Sequence, residues 1–469
     1  MRRINDPQGV LDFQGPRLAI TKNFYKRYAA IGELLDSTPR ILQLLHADLC
    51  EALDSLERER QRECPISSDN VLRTLLVQRI EGLSLRETVV RIDDSDFLRR
   101  FVRVYDGGMM GYSTLCRLKN QIQPATWKKI NAALAKQAVE EGLITGADLR
   151  IDTTAYETNT HYPTDSSLLF DVYKTVARLI GRARELDSSI ATDRRLQVRV
   201  AKKHYTKIAR KAGNITKVKT LKPAYKRLIR LVKDILEIAT ESVNTLSEKI
   251  QDHSYTDNVA DYAEYLIDEM EHYCELAARV IDQTQRRVMQ GEKVPNEEKL
   301  FSIHEPHTEL LIRGKAGKPV EFGHMVLLQQ TREKFISDFD VFEKKPIEHQ
   351  LVDSVLASHK KLFGEFPSTF TADKGFYENM ERIKELEEKI ELVAIGKKGS
   401  RTIDETAREH SFAFRLAQAF RAGIEGSIAF LKCKLRMHRC FNKGWDHYVS
   451  TVGVTVFAHN LLVLVRDQL

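Results

Sequence analysis

Two regions of strand-like patterning stand far apart in this chain, and the residues between them read almost wholly as helix. At Ala147-Asp-Leu-Arg-Ile-Asp-Thr-Thr-Ala155, Leu149 and Ile151 alternate with Arg150 and Asp152, as in a strand with one buried face. Strand character returns at Thr308 to Arg313. After the turn Gly314-Lys-Ala-Gly-Lys-Pro319 it continues at Val320 to Gln330 and at Phe335 to Phe342, which predicts an antiparallel meander. From Asp165 to about Met289 the apolar residues recur at helical spacing: Tyr173, Val176, Leu179, Ile180 and Ala183 open one helix, and Leu228, Leu231, Val232, Ile235, Leu236 and Ile238 supply another, with a third over 259–289. Any sheet must therefore close across a helical insertion of more than a hundred residues.

Beyond the meander the pattern alternates. Pro346 to Phe363 reads as a helix, Thr369-Phe-Thr-Ala-Asp373 as a short strand, Tyr377 to Lys389 as a helix and Ile390 to Ile395 as a strand. A loop with Gly396, Gly399 and Ser400 leads to a final helix of the series at 412–435. With the insertion and the strand at 308–313 set aside, the order is three strands, helix, strand, helix, strand, helix. That is the order of an RNase H-like fold, with Asp152 on the first strand and Asp373 ending the fourth.

In the last of these helices Phe412, Leu416, Phe420, Ile424, Ile428, Leu431 and Leu435 predict one apolar face. Arg421, Glu425 and Lys432 follow at intervals of four and seven, so they share a narrow strip beside that face. On an arbitrary helix such a strip is an exposed, salt-bridged surface. Here it lies downstream of two aspartates that each end or cross a strand.

The N-terminal third is different. Residues 1–36, with Pro7 and Pro16, read as an irregular arm, and 37–62 as a helix. Ser67-Ser-Asp69 caps a helix ending at Gly82, and Ser84-Leu-Arg-Glu87 has the capping-box form that opens the next. Further helices start at Tyr112 and run from Pro124 to Glu141, with a stop at Gly142. Short helices joined by capped turns suit a helix-turn-helix, and equally many small helical domains.

Net charge is +7 over 469 residues, but it is unevenly spread. Residues 170–233 hold 19 Lys and Arg against 4 Asp and Glu, and 234–300 hold 6 against 16. The basic stretch, with Lys202, Lys203, Arg210 and Lys211, suits a polyanion such as DNA; the alternative is neutralisation by the acidic stretch. Lys397, Lys398 and Arg401 form a smaller basic loop. The six cysteines include no Cys-x-x-Cys pair, which favours reduced thiols, and Cys433, His438 and Cys440 lack the fourth ligand of a zinc site. The N-terminus lacks the apolar run of a signal peptide, and Val452 to Val465 is short for a membrane span and carries His459 and Asn460. A cytoplasmic protein with no membrane role and a buried terminal helix is expected.

Asp152-Thr-Thr, Thr371-Ala-Asp373-Lys-Gly-Phe and Arg421-x-x-x-Glu425 followed by Lys432 resemble the signature of DDE-type insertion-sequence transposases. Leu149 to Leu169 is similar in particular to the ISNCY group of bacterial elements, and 68–123 to the N-terminal helical domain of related transposases. One departure is Gln418, where relatives often carry Tyr three positions before the Arg.

The resemblance implies an α/β multidomain protein: an N-terminal arm (1–36), a helical DNA-binding domain (37–145), an RNase H-like catalytic core (146–164 and 301–469) and a helical insertion (165–300). It implies Asp152, Asp373 and Glu425 as catalytic ligands of two Mg²⁺ ions, with Mn²⁺ able to substitute, and Arg421 and Lys432 as phosphate contacts. Two Mg²⁺ ions about 3.5–4 Å apart can activate a nucleophile, hold the leaving oxygen and neutralise developing charge. The implied partners are double-stranded DNA, as transposon ends and target, bound by a homodimer near the bacterial nucleoid. A structure-specific DNA nuclease on the same fold and a domesticated, non-catalytic DNA-binding protein remain open beside it.

Overall fold

The structure is a computed structural model and describes residues 18–54, 66–105, 107–191, 193–211, 218–315 and 317–466. It divides into two compact units, Met1–Thr158 with Gly323–Leu469, and Asn159–Phe322.

The protein is mixed α/β, with a six-stranded sheet built from β1 (Asp148–Glu157), β2 (Glu309–Lys315), β3 (Lys318–Thr331), β4 (Ile336–Phe342), β5 (Thr369–Ala372) and β6 (Leu392–Ile395). β1 is central: it pairs antiparallel with β3, from Leu149 opposite Thr331 to Glu157 opposite Gly323, and parallel with β5. β6 runs parallel to β5, β4 antiparallel to β3, and β2 is a further neighbour of β3.

A central strand is covered on both sides, and this corrects the expectation of one buried face for β1. Leu149 and Ile151 join a core with Phe370, Val393, Val352 and Val355, under the helices Val352–Phe363 and Met380–Glu387. The alternate residues Arg150 and Tyr156 are also buried, at 3% and 0% exposure, beneath the other layer. That layer holds the helix Phe412–Cys433 and the terminal helix Trp445–Leu464, whose buried face includes His459 and Asn460. It is the one helix among the described residues long and apolar enough to cross a membrane, and most of it is buried inside the protein.

The N-terminal helices belong to that same core. Trp127, Ile130 and Leu134 of the helix Pro124–Glu140 pack with Val452, Val456 and Phe457 of the terminal helix, and Asn131 donates to the Gly453 carbonyl at 3.0 Å. The caps are as expected: Ser67 and Ser84 make capping boxes, and Gly82 ends its helix at φ 62°. Residues 18–36 are not an irregular arm. Ala19–Ser37 is a helix that buries Tyr28, Ile31 and Leu35, and Pro39–Asp54 follows it after a break at Thr38. The rest of the expected arm (1–17) and of the expected 37–62 helix (55–62) lies outside the described residues. Asp36 fixes the first helix by accepting from Arg73 at 2.7 Å and Arg103 at 2.6 Å, while the buried Asp69 accepts from both arginines at 2.7 Å. Such long-range charge pairing leaves no periodic trace in sequence.

Smaller differences follow local geometry. The Pro346–Phe363 helix opens as a 3₁₀ turn, Glu348–Leu351, and an unexpected helix, Ile403–His410, is capped by Thr402. The second unit is helical as expected, with Asp165–Leu186, Val198–Ala209, Val218–Gln251 and Asp257–Thr284 sharing a core of Val176, Ile180, Leu228, Val232, Leu266 and Met270.

Two buried histidines make stability pH-dependent. His359 and His459 each donate Nε2–H to a carbonyl, of Gly146 and Lys334, at 3.0 Å, and each Nδ1 is buried without a partner. Burial pushes both pKa values down to about 4. Between the unfolded value of about 6.5 and pH 4 the unfolded chain binds more protons, so stability falls as pH is lowered through that window. The expected loss is on the order of 2–3 kcal/mol per histidine. Urea midpoints measured from pH 7.5 to 4.5 should begin to fall near pH 6.5, before most carboxylates titrate; a flat profile down to pH 5 contradicts this account.

Candidate active site

The parallel pairing of β1 with β5 sets Asp148, Leu149 and Arg150 beside Thr369, Phe370 and Thr371. Asp152 follows Arg150 on β1 and Asp373 stands just past the end of β5, close enough for its charge to act on the Asp152 carboxyl. Each turns one oxygen back on its own chain: Oδ1 of Asp152 accepts from the Thr153 N–H and Oδ1 of Asp373 from the Lys374 N–H, both at 2.7 Å. Burial raises the Asp152 pKa to about 6, against the opposing pull of Arg421, with Asp373 and Glu348 adding to the rise. The site therefore holds more negative charge than its one guanidinium offsets.

Glu425 faces this pair from the helix Phe412–Cys433, which packs on β1, β5 and β6. Its carboxylate is 66% exposed and is held by Arg421 at 3.2 Å, while the same guanidinium lies 3.6 Å from Asp152. Arg421 thus joins two carboxylates, rather than standing free as the phosphate contact expected from sequence. Among the described residues no three His, Cys, Asp or Glu side chains stand close enough to hold one metal ion. The Glu425 side chain would have to leave Arg421 to join the aspartates.

The helix reaches the sheet through two polar contacts. Gln418 donates to the Ala394 carbonyl at 2.5 Å and to that of Ala372, next to Asp373, at 3.4 Å, so this side chain ties the helix to the ends of β5 and β6. Arg150 rises from β1 into the helix: its Nη1 donates to the Phe420 carbonyl at 2.7 Å, its Nε to Gln330 at 2.9 Å, and its guanidinium lies 4.6 Å from the Phe420 ring centre. Burial, with Arg332 nearby, pulls its pKa down to about 10. This seating rotates the helix from its expected face. Phe414, Ala417, Ile424, Ser427 and Leu431 are buried, whereas Phe412 and Leu416 are 76% and 62% exposed.

A fourth carboxylate was not foreseen. Glu348, in the 3₁₀ turn before the helix Val352–Phe363, accepts from the Thr153 hydroxyl at 2.6 Å. A Cβ on Gly375 would overlap its Oε2, so the glycine of Asp373-Lys-Gly makes room for Glu348. That glycine was the available signal, but sequence does not say what it accommodates.

The other cations divide. Lys397 is bound by both oxygens of Glu405, which it holds down to about 2, and Arg401 by Glu409 at 2.7 Å, so that part of the loop is neutralised; Lys398 is exposed. Lys432 lies half-buried in the last turn of its helix, where its carbonyl accepts from His438. In the second unit Lys202, Lys203, Arg210 and Lys211 are exposed. Among the described residues, the ion pairs joining the two stretches are those of Arg194 with Glu237 and Glu241, at 3.4 Å, and that of Asp187 with Lys249, in which the basic stretch supplies the carboxylate. Neutralisation of one stretch by the other is thus slight.

Comparison with protein-family models, curated proteins and solved structures finds no match for the chain.

Two glycines in the middle of the Glu425 helix provide a contrast. A Cβ on Gly423 would overlap Arg150 Nη1, whereas nothing lies within 4 Å of one on Gly426. Gly423→Ala should displace Arg150 and cost about 1–3 kcal/mol, while Gly426→Ala should be neutral or stabilise by up to about 1 kcal/mol. Thermal melts of the two variants check this, and equal melting temperatures would dismiss the Arg150 lock.

Proposed function

We propose that the chain is a DDE-type transposase that binds the terminal inverted repeats of an insertion sequence, cleaves at its ends and joins the 3′ hydroxyls to target DNA. The observation that carries the reading is the closeness of Asp152, on β1, to Asp373, just past the end of the parallel strand β5, with Glu425 on the helix packed over these strands. Within the sheet, whose path is β2-β3-β1-β5-β6 with β4 also paired to β3, the strand β3 runs antiparallel to β1 and β4 while β1, β5 and β6 run parallel, and this arrangement supports an RNase H-like core.

The donor set suits Mg²⁺, which takes hard oxygen ligands and keeps several waters. Asp152 and Asp373 would hold it, joined by Glu425 once that side chain leaves Arg421. Bound there, a pair of such ions supplies charge neutralisation at the scissile phosphate and activation of the attacking oxygen. The chain's own contributions are orientation and charge balance. Backbone N–H groups fix one oxygen of each aspartate, Gln418 and Arg150 set the height of the Glu425 helix, and Arg421 offsets negative charge at Asp152. A site with surplus carboxylate charge is poor at receiving a phosphate on its own and good at receiving a divalent cation first.

Asp373→Asn should abolish end cleavage and strand transfer, by more than about 100-fold, while binding of the ends persists. A labelled duplex carrying the inverted repeats, incubated in Mg²⁺, reads both steps. Surviving nicking would refute the ligand assignment. Cut ends without joined product from the unaltered protein would identify a nuclease on the same fold, and end binding without cutting a non-catalytic DNA-binding protein.

A further inference from the structure

Away from the carboxylates, the first unit holds a cleft of about 800 Å³ between the helices Ser68–Glu81, Leu85–Asp93 and Tyr112–Gln121 and the segment 436–442. Five arginines line it, Arg79, Arg86, Arg117, Arg436 and Arg439, and none of its lining residues is an aspartate or glutamate. Arg439 pairs with Glu157 at 3.0 Å. Arg79 Nε is buried without a hydrogen-bond partner, and the neighbouring Lys119 is pushed down to about 8 by burial and then by Arg79. A wall this positive favours an anion, and guanidinium forks match phosphate oxygens in pairs.

The mouth adds flat apolar surfaces. Arg86 lies 4.4 Å from the Tyr112 ring centre and donates to its hydroxyl at 3.1 Å, while Tyr112 and Phe441 are 45% and 64% exposed. Exposed rings interleaved with arginines are the surface on which bases stack while their phosphates are held. The cleft edge is fixed by Gly82, in the left-handed conformation at φ 62°, where a Cβ would stand 3.1 Å from the Lys434 carbonyl and 3.3 Å from Arg436 Nε.

We propose that this cleft binds a strand of nucleic acid, its phosphates on Arg79, Arg86 and Arg436 and its bases against Tyr112 and Phe441. Arginines spread over several separate elements, with two rings at the mouth, provide more contacts than a single phosphate ester needs. The proposal rests on the transposase reading for the nature of the partner and deepens its expectation of a DNA-binding domain at 37–145, but it does not depend on the catalytic residues, because none of Asp152, Asp373 and Glu425 lines the cleft.

The test is fluorescence anisotropy with the full chain in EDTA, using a labelled 20-nucleotide single strand and the matching duplex over a series of salt concentrations. Arg86→Glu with Arg436→Glu should weaken binding at least 10-fold and lower the slope of log affinity against log salt by about two, with the melting temperature retained. Arg86→Lys with Arg436→Lys should stay within a few-fold of the unaltered protein, and Phe441→Ala alone should weaken the single strand several-fold. Unchanged affinity and slope in the charge-reversed protein overturn the proposal. So does a result in which ATP or inorganic phosphate binding depends on the two arginines and DNA binding does not. Asp373→Asn protein should bind as the unaltered protein does in this assay, so loss of cleavage and loss of cleft binding are separately visible.

Discussion

The seating of one helix on the sheet depends on a buried cation that has no carboxylate partner. Arg150 projects from the central strand, where desolvating a guanidinium is costly unless its N–H groups are satisfied. Its partners are the Gln330 side chain, the Phe420 carbonyl and the Phe420 ring, and one Nη2 remains unpaired. These contacts require close approach of the helix backbone, which Gly423 permits. The height and rotation of the helix bearing Arg421 and Glu425 therefore follow from a residue two positions before Asp152. The same strand supplies a carboxylate and determines where the carboxylate facing it can stand.

Charge balance in the site follows from that placement. Asp152 is buried enough to resist ionisation, Asp373 and Glu348 push it further in the same direction, and Arg421 is the cation that opposes them while also engaging Glu425. A guanidinium lying between two carboxylates occupies the position of lowest potential, as a metal ion would. Entry of a divalent cation beside the aspartates would weaken the hold of Arg421 on both carboxylates and free it for an anionic ligand.

Much of this architecture was legible from pattern. Strands and helices after residue 300 show period-two and period-3.6 apolar spacing, and Ser67, Gly82 and Ser84 announce their caps chemically. What could not be read depends on contacts between residues distant in sequence. The helix Ala19–Ser37 is held by Asp36 reaching Arg73 and Arg103, and Arg150 looked solvent-facing because alternation alone cannot distinguish a central strand from an edge. The apolar face at 412–435 was drawn through Phe412 and Leu416 because spacing reports only periodicity, whereas the rotation was settled by Arg150 and Gln418. Pattern marks Asp152 and Asp373 as separate strand residues, and their closeness follows from the parallel pairing of β1 with β5, which no local pattern reports. Glu348 left no sign beyond the glycine that makes room for it.

The helical unit shows how a charge pattern visible in sequence acquires meaning from pairing. Its acidic stretch uses carboxylates locally, as where Arg286 engages Asp282, Glu292 and Glu298, and among the described residues the cations of the basic stretch meet those carboxylates through Arg194 at two exposed contacts. Exposed pairs of that kind contribute about 0–1 kcal/mol and are screened by salt, so they do not remove a local excess of fifteen positive charges. Lys202, Lys203, Arg210 and Lys211 remain solvated, and the field of such a surface attracts polyanions over about a Debye length regardless of their sequence. The arginines of the cleft differ in placement: Arg79 and Arg439 are partly buried, and all five converge on one concave wall. A diffuse basic surface gives affinity without register, whereas an arginine-lined cleft with stacking rings gives register, and nucleic-acid binding calls for both.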